Sequence, residues 1–239
     1  MDGALATVAA VIASGFTLDL ARDHLRRPRP HVAAYAVGIG LFALATWALA
    51  SGLTMGWTGF NYRVFFLFGA ILNIPFLALG SMYLVVGKRA GTITFLAVGA
   101  IAAISTTLTT TVAFARPLPA GGIPHDIFPP ISEGFGPRLL AAIAGGLAST
   151  IIILLSGISA YRFWRRDRRI FYGNVLITLG TFAAAWGGTG LALGEAAAFS
   201  LSLLLAATLI WSGYRVASGR RQIASATQGQ EGDAGGDQH

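Results

Sequence analysis

Apolar residues fall in long blocks along this chain, separated by short polar or basic turns. A helix crossing hydrocarbon needs about 20 mostly apolar residues. Seven blocks meet that length: 3–21, 32–53, 64–86, 92–114, 139–161, 170–193 and 196–217. The pattern predicts an all-α integral membrane protein, a seven-helix transmembrane bundle over residues 1–218. Residues 115–138 hold six prolines and four glycines and predict an irregular loop. Residues 219–239 are polar and Gly-rich and predict a disordered tail.

Composition narrows the setting. Charged residues make up 11% of the 239 and hydrophobic ones 54%, against about 25% charged in an ordinary soluble domain. The formal net charge of +7 fits a nucleic-acid binder in magnitude but not in distribution. Four turns on one side of the predicted bundle, 22–30, 87–91, 162–169 and 215–221, hold 14 of the 17 Arg and Lys. The other side has Arg63, Arg116 and Arg138. Basic loops stay in the cytoplasm, so the N-terminus is expected outside and the C-terminus inside, facing an anionic leaflet rather than nucleic acid. An odd number of spans agrees with that placement. The first block, with no basic residue before it and Arg22 after it, reads as an uncleaved anchor. Arg-dominated basic usage with abundant Ala and Gly resembles a high-GC bacterial genome, so a bacterial inner (plasma) membrane is expected.

Similar basic turns follow the first and fifth spans, and Trp47 and Trp186 lie at like places in the second and sixth. The chain thus admits a parallel 3+1+3 repeat, a layout of transporters whose path lies between the halves.

Several residues interrupt the apolar blocks. Pro75 lacks an N–H and crowds the carbonyl of Ile71, and Asn73 lies two residues before it, so the pair marks a bend or a polar point on a path. Thr106 and Thr110 share a face of the hydroxyl-rich run 105–111, where packing through back-bonded hydroxyls is the alternative to a path. Arg63, Glu133, Arg138 and Glu195 lie at the expected outer boundary as an ion-pair rim. Asp19 and Asn174 lie at the inner boundary, Asp19 three residues before Arg22 and spaced to pair with it. Ala141, Gly145 and Ser149, and Ala183 with Gly187, are spaced for close helix contacts.

Other chemistry lacks its residues. The chain has no cysteine, which removes thiolate catalysis and disulfides. The only lysine is Lys88, so the last span has none for a retinal Schiff base. His24, His31, His125 and His239 lie outside the spans, so haem has no paired intramembrane ligands. His125, Asp126 and Glu133 are too sparse to predict a metal. No phosphate-binding Gly-rich loop or GxSxG is present. No enzyme constellation is visible. The expectation is a small-solute or ion transporter with its path between two three-helix halves. The alternative is a non-catalytic sensor or scaffold that docks partners or anionic lipids through its basic loops, with an oligomer or protein partner left open.

Overall fold

The computed structural model describes residues 2–163, 168–192 and 196–218. Its helices are α1 (Asp2–Arg26), α2 (Pro30–Met55), α3 (Gly59–Val86), α4 (Lys88–Thr111), α5 (Pro137–Phe163), α6 (Arg168–Ala192) and α7 (Ala196–Ser218). No strand occurs among the described residues. Six helices, all but α6, are long and apolar enough to cross a membrane. The chain is therefore an all-α, multi-pass membrane protein. The segments 193–195 and 219–239, with Glu195 and the predicted tail, lie outside the described residues, as does the side chain of Asn174.

Local chemistry sets the helix ends. Pro30 is the first residue of α2, a position where its missing N–H has no helical partner to lose. Thr58 starts α3 through a reciprocal cap: its hydroxyl accepts from the Asn61 N–H, and Asn61 Oδ1 accepts from the Thr58 N–H at 2.8 Å. This cap begins α3 five residues before the block that hydropathy alone outlines. Gly87, at φ 116, is the whole connection between α3 and α4; a side chain there would be strained.

α1 packs against α2, α2 against α3, α3 against α5, α5 against α6, α6 against α7, and α7 returns to α1, closing a ring of six. Small residues let these helices approach, as lipid-embedded packing requires. A Cβ on Gly38 of α2 would stand 3.1 Å from the Asn73 carbonyl of α3, and one on Gly213 of α7 2.6 Å from the Gly173 carbonyl of α6. The ring is filled. Phe65 of α3 meets Phe199 of α7 with centroids 6.2 Å apart, and Leu77 and Ile210 pack together against Phe16, Leu20 and Ile39.

α4 stands outside the ring. It leans on α3 and α5 through Ile101, Ala102 and Leu108, and only 17% of its apolar window is buried against 56% for α2 and α3.

The Pro-rich loop is irregular apart from a short 3-10 turn at Ile131–Glu133, yet it is not a solvated strap. Ile123, Ile127 and Phe128 are buried in one cluster with Leu49, Tyr62 and Phe65. The Trp57 indole donates to the Gly122 carbonyl at 2.8 Å and the Ala115 N–H to the Ile127 carbonyl at 2.7 Å. The segment caps the end of the bundle opposite the Arg-rich turns.

Candidate functional site

Pro75 cannot donate to the helix ladder, and its ring pushes on the turn before it. The chain answers by widening that turn: Phe65–Leu72 is a π-helix, and the Asn73 N–H bonds the Phe68 carbonyl, five residues back. The Ile74 N–H is taken by Asn73 Oδ1 at 2.7 Å. The amide is thus bonded to the backbone just before Pro75. Asn73 and Pro75 are both buried, near the midpoint of α3, where Ile74 and Ala78 pack against Ala148 and Ile152 of α5.

Thr106 and Thr110 are exposed on α4, outside the ring, and donate to the carbonyls of Ala102 and Thr106 at 2.7 Å each. They do not face the space between the halves that a path requires; α4 turns Ser105 and Thr109 inward instead. The Thr109 hydroxyl is buried without a hydrogen-bond partner among the described residues.

The expected rim separates into two different contacts. Arg63 donates to the carbonyls of Thr109 and of Val112, the latter at 3.1 Å. Its guanidinium lies 4.4 Å from the Phe114 ring centroid. A forked cation here satisfies the last carbonyls of α4 and opposes the negative end of its dipole. Arg138 pairs with Asp126 at 2.7 Å, not with Glu133, which is exposed on the short turn. Asp126 holds φ 55, a left-handed conformation that Asp tolerates better than most residues. Replacing Arg63 with Gln is expected to lower stability by about 1.5–3 kcal/mol, the worth of hydrogen bonds from a charged donor. Thermal unfolding in detergent checks it, with Arg63→Lys expected to recover only part of the loss.

At the other end, Asp19 does not pair with Arg22. It accepts from the Trp211 indole N–H at 3.1 Å, and Asp23, one turn on, accepts from the Tyr214 hydroxyl at 2.8 Å. Phe16 packs on both rings. The Arg169 Nε donates to the Val216 carbonyl at 2.7 Å, holding the end of α7 to α6. The two carboxylates are engaged by neutral donors, and Arg22, Arg26, Arg27, Lys88 and Arg89 are exposed with no ion pair among the described residues. Asp23, Trp211 and Tyr214 escaped the sequence reading. Their spacings, four residues on α1 and three on α7, were the available signal, but 192 positions separate Asp19 from its partner.

A shallow groove of about 650 Å³ runs along α6 and α7, walled by Leu179, Phe182, Trp186, Leu205 and Leu209. It is apolar, and Asn73 is not in it. Among the described residues no three His, Asp or Glu gather as metal ligands. No protein-family model, curated protein or solved structure matches the chain.

Proposed function

We propose that the chain is a seven-span carrier of a small solute or ion in a bacterial plasma membrane, with its N-terminus outside and its C-terminus in the cytoplasm. The path runs between the halves α1–α3 and α5–α7. The observation that carries this reading is the break in α3. A buried amide, a proline and a π-helical turn lie together halfway along a span, at the seam with α5, as interrupted helices do at the midplane sites of carriers. The order of neighbours supports the two halves. Exchanging α1 with α5, α2 with α6 and α3 with α7 maps each neighbouring pair of the ring onto another, and α4 falls outside. The 25 residues of α6 span about 37 Å, enough for a seventh crossing. The charge bias favours the orientation. In this reading the filled centre is a closed form, with Asn73 reached only when the π-helical turn rearranges.

A second reading, a non-catalytic scaffold or sensor that docks partners through its basic end, is favoured by that same filled centre. Swelling of proteoliposomes in glycerol, ribose and sucrose gradients separates the two. The carrier should speed swelling in at least one gradient, and Asn73→Leu should abolish the gain while leaving the protein folded. Wild-type vesicles no faster than protein-free ones in all three gradients, and equally slow in a potassium acetate gradient, would leave the scaffold reading. A gain unchanged in Asn73→Leu would remove Asn73 from the path.

A further inference from the structure

We infer that the Arg-rich end is a binding surface for anionic phospholipid headgroups, contacted by Arg22 and Arg26 on α1 and by Lys88 and Arg89 at the start of α4. Asp19 and Asp23, the acidic residues of α1 at this end, are held by Trp211 and Tyr214, neutral groups that consume acceptors without supplying positive charge. The four basic residues are exposed and in no ion pair among the described residues, so no described carboxylate offsets their charge.

Depth selects the partner. Arg22 directly follows the apolar run of α1, and Arg26 is one turn further, about 6 Å along the axis. Gly87 alone separates α3 from α4, so Lys88 and Arg89 cannot extend away from the helix ends on a loop. Both pairs are fixed close to the edge of the hydrocarbon, where lipid phosphates lie, rather than presented on a protrusion that a soluble protein would grip. Among the six membrane-length helices α4 has the smallest buried share, 17%, and Lys88 and Arg89 at its start are exposed. A basic residue near an anionic surface favours association by about five-fold.

Native mass spectrometry of the full chain from micelles holding equal phosphatidylglycerol and phosphatidylcholine tests this. Wild type should retain phosphatidylglycerol over phosphatidylcholine several-fold. Arg22→Gln with Arg26→Gln, and separately Lys88→Gln with Arg89→Gln, should each lower that ratio, and the fourfold substitution that combines them should bring it to about one. Arg116→Gln, an exposed arginine in the loop segment at the opposite end, should leave it unchanged, and excess inorganic phosphate should not displace the lipid. Equal retention of the two lipids by wild type would overturn the inference and leave this end to an acidic protein partner. So would a ratio untouched by the fourfold substitution, one lowered equally by Arg116→Gln, or displacement by phosphate. None of these results depends on whether vesicles swell, so the two proposals fail separately.

Discussion

Gly213→Ala is expected to lower the thermal midpoint of the protein in detergent more than any other single added methyl. The new Cβ would stand 2.6 Å from the Gly173 carbonyl oxygen, 2.9 Å from Ile177 Cγ1 and 3.0 Å from Leu176 Cβ. The first of these is backbone, which no rotamer change can remove, so α7 must move away from α6. That movement would be felt along the seam. Gly180, one turn from Ile177, has Ile210 Cγ1 2.6 Å from its own would-be Cβ and the Ala206 carbonyl at 3.1 Å, and Gly187 meets Ser202 as closely. Overpacking of this kind costs about 1–3 kcal/mol, with larger values where backbone is the obstacle. Gly99→Ala is the matched control. Nothing lies within 4 Å of its would-be Cβ, so in exposed α4 it should be neutral or slightly stabilising. Equal midpoints for Gly213→Ala and Gly99→Ala would mean that α6 and α7 do not approach as described.

The second large effect is at the opposite end. Phe128→Ala removes a ring that is 1% exposed and lies 4.9 Å from Phe66, 5.4 Å from Phe114 and 5.6 Å from Tyr62, centroid to centroid. Truncating a buried Phe costs about 3–5 kcal/mol through lost contacts and the cavity left behind. The consequence is local as well as global. Residues 112–136 have few backbone bonds of their own, so Phe128 with Ile123 and Ile127 is what holds the cap on the bundle. Limited proteolysis should therefore cut this segment rapidly in Phe128→Ala and slowly in wild type. Phe135→Ala, at a ring that is 63% exposed, should behave as wild type. A cap equally resistant in both variants would show that the Trp57 and Ala115 hydrogen bonds hold it without the aromatic cluster.

The break at Asn73 and Pro75 illustrates how far sequence reading reaches. A proline and an amide two residues apart announce a disturbed helix, because no backbone group can be left open in lipid. Neither residue type states the form of the disturbance. The structure resolves it into a π-helical turn ahead of the proline, with the amide oxygen on the Ile74 N–H. The choice depends on Gly38 and Ala148 leaving room on the adjoining helices. The rim residues show the opposite case. Arg63 and Glu133 have complementary charge, but Arg63 lies against carbonyls that α4 exposes by ending at Thr111. Opposite charges near one boundary say little about pairing when unpaired helix ends compete for the same cation.

The sequence by itself determined six of the seven spans it predicts, all but 170–193, which the structure holds as helix α6 without the apolar length of the others, together with the irregular character of the Pro-rich segment and the clustering of Arg and Lys in a few turns. These are set by composition over about 20 residues and by local backbone preference, and require no knowledge of neighbours. Only the tertiary structure decided that α4 stands outside the ring, because α4 is as apolar as the helices inside it and lipid and protein are equally good solvents for such a surface. Only the tertiary structure brought Trp211 to Asp19, Tyr214 to Asp23 and Phe128 under the cap. Those contacts join segments far apart in the chain, and which segments meet depends on how small residues on several helices let their backbones approach.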